Sequence, residues 1–227
     1  MSVYPWILDN LKATKLTILK PSDKTIVGIR ILSVALNLPG PAALMRLADM
    51  GAKCTKLEPL PPAGLGKGAT SDPMGLYAPH AYVQLHAGVK VVQADLKSEY
   101  GQQALHKQLA RTDVLITSFR PSALAKLGLS WKELHQRYPA LCMVSIVGAP
   151  GERAEEAVHD LTYQAESGLL TGLDLPASLY ADMAGSLCVT EAVLQALLMR
   201  QRPGKTQGKG IFQEVALSEA SNYLALP

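Results

Sequence analysis

The sequence predicts an α/β protein built on a doubly wound sheet, and three observations carry that expectation. Strand-like and helix-like segments alternate along the chain with no repeat and no low-complexity tract. The first of them form a strand–loop–helix–strand unit, whose parallel crossover is the building block of such sheets. Apolar residues make up 48% of the chain but aromatic ones only 5%, and Ala and Leu dominate the apolar set, which favours a helical covering over an all-β sandwich.

The elements follow in order. Ile26 to Val34 has the length and β-branching of a buried strand. Leu38-Pro39-Gly40-Pro41 breaks it, and Pro41 suits the first position of a helix because no partner there needs its missing N–H. The helix is expected over Ala42 to Met50, ended by Gly51, with Cys54 to Leu57 as the second strand. From Glu58 to about Pro79, prolines and glycines crowd into a long loop, and loops of such length in a compact domain are usually functional or mobile. Val89 to Ala94 reads as a strand, Ser98 to Ala110 as a helix and Asp113 to Thr117 as a strand. Short helices are expected at Pro121 to Leu127 and Trp131 to Arg137, then a strand at Leu141 to Val147. After a second loop come a helix from Asp160, a longer one over Asp182 to Gln201 and a final strand at Ile211 to Ala216.

Composition narrows the function classes. The 227 residues carry 22 basic and 19 acidic side chains, and a net charge of +3 is too small for a nucleic-acid footprint but compatible with a small polyanion. Cys54, Cys142 and Cys188 are odd in number and widely spaced, so neither a disulfide framework nor a zinc site is expected. The N-terminal segment lacks the apolar stretch of a signal peptide, and the apolar runs fall short of the roughly 18 residues that span a bilayer. A cytoplasmic protein with no membrane or nucleic-acid partner is the expectation.

Most local motifs favour structural readings. Gly64-Leu65-Gly66-Lys67-Gly68 satisfies neither phosphate-loop spacing and is expected as a flexible loop. Gly204-Lys205-Thr206 lacks the glycine a phosphate loop needs upstream, where Met199 stands. His80 and His86 have no neighbouring carboxylate or cysteine cluster in sequence, so no metal is expected. Arg200, Arg202, Lys205 and Lys209 read as a solvated turn. Asp160, at the junction of a polar loop and a helix, has two readings: a helix N-cap, or a carboxylate kept ionised by helix-end amides and available as a nucleophile.

Several blocks together resemble one family. Gly28-Ile29-Arg30-Ile31-Leu32, Leu38-Pro39-Gly40-Pro41, Leu47 to Lys53 and Lys56-Leu57-Glu58-Pro59 resemble the opening of the family III CoA-transferases, which include formyl-CoA transferase, carnitine CoA-transferase and the α-methylacyl-CoA racemases. Asp95-Leu96-Lys97-Ser98, Asp113 to Pro121 with Leu127-Gly128-Leu129, His159 to Ala165 with Ser167-Gly168, Ala181-Asp182-Met183-Ala184-Gly185 and Val215 to Ala220 continue the resemblance in order.

The resemblance implies a Rossmann-like large domain over residues 26–227 after an N-terminal arm at 1–25. It places Asp160 at the family's catalytic aspartate, with His159 as an acid/base partner in racemase-like wording. Asn37 and Leu38 fall where the family meets the CoA nucleotide, Ser118, Phe119 and Arg120 on the cofactor-binding block, and Lys126 at a basic position near the CoA phosphates. The implied reactants are an acyl-CoA and a carboxylic acid, with coenzyme A as a substrate and no permanently bound cofactor or metal. Family members are nearly twice as long, so the small domain has no counterpart here. A homodimer or a complementing chain is therefore expected. Three functions remain open: CoA transfer between carboxylic acids, 2-methylacyl-CoA racemisation, and a catalytically silent CoA-binding or interaction protein.

Overall fold

The computed structural model describes residues 24–62, 64 and 69–226. The expected N-terminal arm, apart from Lys24 and Thr25, lies outside the described residues, as do Pro227 and the glycine segment apart from Gly64.

The elements are β1 (Arg30–Ser33), α1 (Pro39–Asp49), β2 (Lys53–Glu58), α2 (Met74–Tyr77), α3 (Pro79–Leu85), β3 (Lys90–Gln93), α4 (Glu99–Leu109) and β4 (Val114–Thr117). They continue with α5 (Pro121–Lys126), α6 (Trp131–Arg137), β5 (Cys142–Val147), a 3-10 turn (Gly151–Glu155), α7 (Asp160–Glu166), α8 (Tyr180–Gln201), β6 (Phe212–Ala216) and α9 (Leu217–Leu224). The sheet has six strands in the order β3-β2-β1-β4-β5-β6, with every pairing parallel. This is the doubly wound, Rossmann-like order, in which connections run outward in both directions from the centre.

Period-two alternation sorts the central strands between two cores. Ile31, Ile116, Val144 and Ile146 pack on one face with Leu44 and Leu47 of α1 and Val189 and Val193 of α8. Leu32, Leu115 and Met143 point the other way, against Leu105 and Leu109 of α4, Leu124 of α5 and Leu134 of α6. Every residue of β4 and β5 is buried, as parallel strands covered on both faces must be.

Several boundaries differ from the expectation. β1 starts at Arg30 because residues 25–28 form a turn, in which the Ile29 N–H donates to the Ile26 carbonyl at 3.3 Å and Gly28 takes φ +89°. α1 starts at Pro39, not Ala42, so Pro39 holds the first position and Pro41 also fits inside the first turn. The long proline-rich segment contains two helices, α2 and α3, and the chain continues past β6 into α9. α7 has His159 as its N-cap residue and Asp160 as its first helical residue, so the N-cap reading of Asp160 is corrected.

Among the described residues, one helix, α8, is long and apolar enough to cross a membrane. Over half of its most apolar stretch is buried, with Ala192, Val193, Ala196 and Leu197 in the core, which marks a central packing helix.

Candidate active site

The strand order reverses between β1 and β4, so the loops leaving their carboxyl ends diverge and leave a crevice. A cleft of about 330 Å³ opens there, with Asn37 after β1, Ser118 and Arg120 after β4, Gly148 after β5, and His159 and Asp182 from the helices beyond among its lining. The Leu36 N–H donates to Ser118 Oγ at 3.4 Å, which ties the two diverging loops together. Asn37 adopts φ +65°, the left-handed conformation that Asn tolerates better than most residues. Both oxygens of Asp72 accept from its N–H at 3.1 Å, and Tyr77 donates to its Oδ1.

Gly148 has its place because of what lies behind it. A β-carbon there would sit 1.8 Å from the Tyr163 hydroxyl, so only glycine lets this wall close over the buried ring. The Gly148 carbonyl accepts from Ser218 N–H at 2.9 Å, anchoring the start of α9 to the same wall.

Two acidic side chains meet at the cleft, one on its lining and one behind it. Asp160 is 4% exposed and lies behind the lining. Its Oδ1 accepts the Asp182 N–H at 2.9 Å and its Oδ2 accepts from Gln164 one turn along α7. Gln164 is held in turn by donating to the Ser178 carbonyl at 3.2 Å. The Asp182 side chain reaches the cleft, where burial and the charge of Asp160 push its carboxyl up to about 7. Asp182 therefore keeps its proton to a higher pH than an ordinary carboxyl does, an arrangement suited to proton or acyl transfer.

The structure brings together Asn37, Ser118, Arg120 and His159 on the lining, with Asp160 directly behind Asp182. Three other expected residues lie off it. Leu38 is the half-buried N-cap residue of α1, Phe119 packs into the α4/α5/α6 core, and Lys126 is exposed at the end of α5. Asp182 and Gly148 were not singled out in sequence. An acidic residue in the first turn of the Ala/Leu-rich α8 was the available signal for Asp182.

Away from the cleft, Glu58, Asp72 and His86 place donor atoms within 4.8 Å of one another, close enough to share a metal ion. The Lys56 ammonium bonds to all three, so this donor set encloses a side-chain cation.

Residues 26–225 match the family described as CoA-transferase family III. The chain is 31% identical over 195 residues to a probable fatty acyl-CoA transferase of Mycobacterium tuberculosis, an alignment covering 80% of this chain and 48% of that protein. It is 32% identical over 190 residues to the α-methylacyl-CoA racemase of Mus musculus, covering 79% of this chain and 45% of that one. A CAIB/BAIF family protein from Brucella suis superposes with a TM-score of 0.72 at 28% identity, covering 88% of this chain and 55% of its own. The chain thus spans about half the length of the relatives it matches.

Proposed function

The chain belongs to CoA-transferase family III, and from that premise we propose that its cleft binds a CoA thioester and that Asp160 carries CoA transfer between carboxylic acids. The observation that carries this reading is the meeting, at the switch point of the sheet, of a polar cleft with the buried Asp160–Asp182 pair.

In this reading a carboxylate oxygen of Asp160 attacks the thioester carbonyl of the donor. The C–S bond breaks, CoA leaves as thiolate, and an acyl–aspartyl anhydride remains. The thiolate then attacks the aspartyl carbonyl, releasing the donor acid as a carboxylate and leaving an aspartyl-CoA thioester. The acceptor acid enters by the reverse of these steps. Asp160 is held by two donors: the Asp182 N–H meets one carboxylate oxygen, and Gln164, itself anchored on the Ser178 carbonyl, meets the other. Arg120, exposed at the cleft edge, suits the phosphates of the nucleotide.

A second reading draws on His159 and Asp182 sharing the cleft lining. An imidazole and a carboxyl on one wall, one taking the α-proton of an acyl-CoA and the other returning one, would perform racemase chemistry. Hydroxylamine added with an acyl-CoA traps an aspartyl hydroxamate at Asp160 if transfer operates. Incubation of one epimer in deuterated water gives α-deuteration without an acceptor acid if racemisation does. CoA bound with neither product supports the silent CoA-binding protein, and no CoA binding overturns every reading except an interaction protein that binds no CoA.

A further inference from the structure

Lys56, on β2, is completely buried, and its ammonium finds a partner for each of its three protons. It lies 3.0 Å from Glu58 Oε1, bonds to Asp72 Oδ2 and sits 3.0 Å from His86 Nε2. The His86 Nδ1 is 2.6 Å from the Tyr82 carbonyl, so that nitrogen carries the proton and Nε2 is the acceptor. Burial and the Lys56 charge both lower the His86 pKa, which keeps the ring neutral and fit for this role. Glu58 is further held by donation from Thr70 and from Tyr82 at 2.8 Å.

The charged members of this cluster are closed off from solvent: Lys56, Glu58 and Asp72 are each 0% exposed. Its connection to the cleft runs through Asp72. That carboxylate accepts the Asn37 N–H on both oxygens at 3.1 Å and the Met74 N–H at 3.0 Å. Asn37 is the one non-glycine residue in the left-handed region among the described residues, and it lines the cleft. Asn enters the left-handed region more readily than most residues, and here the partner of its N–H fixes it there. Here the imposing group is a carboxylate anchored on a buried cation.

We infer that Lys56 is a positioning residue: through Asp72 it holds Asn37 left-handed and so sets the shape of the cleft wall that receives the CoA thioester. This rests on the cleft being the CoA site, and the test separates the two claims. Removing Lys56 alone would leave two buried carboxylates without their cation and risks unfolding. The triple variant Lys56→Met, Glu58→Gln, Asp72→Leu removes the charges together and takes away the acceptor for Asn37.

Hydrogen exchange and CoA titration calorimetry are then run on the triple variant and on wild type. The Asn37 and Met74 amides are expected to lose protection while β4 and β5 amides keep theirs, and CoA affinity to fall about tenfold. Retained protection at Asn37, or lost protection with unchanged affinity, overturns the inference.

A second pair leaves the buried cluster untouched. Asn37→Gly and Asn37→Ala both delete the side chain, but only alanine resists the left-handed conformation. Alanine is expected to bind CoA about fivefold or more weakly than glycine, and equal affinity overturns the inference whatever the triple variant does. Wild type that binds no CoA overturns the site assignment instead, while the exchange data still judge the Lys56–Asp72–Asn37 link.

Discussion

The Asp182 N–H donates to Asp160 Oδ1 at 2.9 Å, so the first turns of α7 and α8 place two carboxyl groups side by side with at most 7% of either residue exposed. The consequence is a shared electrostatic problem. Two adjacent buried carboxylates repel, and the repulsion is relieved when one keeps its proton. Burial first, and Asp160 second, assign that proton to Asp182, whose carboxyl rises from 3.8 to about 7.

The first prediction follows from the sign of that shift. A raised carboxyl pKa means that the folded chain holds a proton that the unfolded chain has already released. The associated stability is complete below about 3.8 and is lost as pH rises through about 7. Its size is on the order of a few kcal/mol. Asp182→Asn removes the titration but keeps the backbone N–H that binds Asp160. Relative to wild type, the variant's Tm is expected to rise steadily between pH 4 and pH 7 and then level off. Tm differences that do not depend on pH would show that Asp182 titrates normally.

The second prediction concerns the glycine wall. In Gly148→Ala the new methyl meets the Tyr163 hydroxyl at 1.8 Å, and Tyr163, 1% exposed, has no free space beside it. The cost is expected at roughly 1–3 kcal/mol, the usual range for overpacking. The Tyr163 hydroxyl has no hydrogen-bond partner among the described residues, so Tyr163→Phe alone should be neutral or mildly stabilising, and it should recover most of the loss when combined with Gly148→Ala. Thermal unfolding of the three variants checks the cycle, and strictly additive effects would break the argument.

Much of this was legible beforehand, and the boundary of legibility is physical. The strands could be read because β4 and β5 are buried on both faces, which demands near-continuous apolar runs. The α4 and α6 helices could be read because Ser98 and Ser130 cap them, with Glu133 completing a capping box in the second. α2 and α3 were missed because their prolines read as breakers when they are helix starts. At the site, Asn37, Ser118, Arg120 and His159 lie on sequence blocks that leave the strand ends, and the cleft gathers them. The Lys56 cluster was invisible because Lys56, Asp72 and His86 are far apart in sequence and meet only after folding. A lysine flanked by threonine and leucine in a strand gives no sign of full burial. The order of the sheet likewise had to be seen, since alternation alone fixes no neighbours.

The third prediction separates the two cations expected at the phosphates. Arg120 lines the cleft, whereas Lys126 sits exposed at the end of α5, off the lining. Arg120→Ala is expected to weaken CoA binding about tenfold at low salt, and Lys126→Ala to weaken it by less than about threefold, as suits a solvated charge acting at a distance. Calorimetric titration with CoA at two salt concentrations tests the order. Equal losses, or none from Arg120, would remove the cleft edge as the phosphate site.

The fourth prediction concerns assembly. Leu173 and Leu175, before α8, are 106% and 83% exposed, and Leu179, Met183 and Leu187 continue the apolar series along the helix start at 41%, 41% and 44%. At the chain's end, Tyr223 and Leu226 are 70% and 75% exposed. The buried side of α8 packs as an ordinary second layer, so core packing does not account for these residues. A lone exposed leucine needs no explanation, but Leu179, Met183 and Leu187 recur every fourth residue along one side of the helix start, and soluble monomers rarely leave more than a few hundred Å² of contiguous apolar surface open. A homodimer or a complex with a complementing chain is therefore expected at micromolar concentration. Light scattering measures it directly, and Leu175→Lys with Leu187→Lys should shift the species toward monomer without lowering Tm. A clean 24.3 kDa particle in the unmodified protein would mean that these leucines face water by themselves.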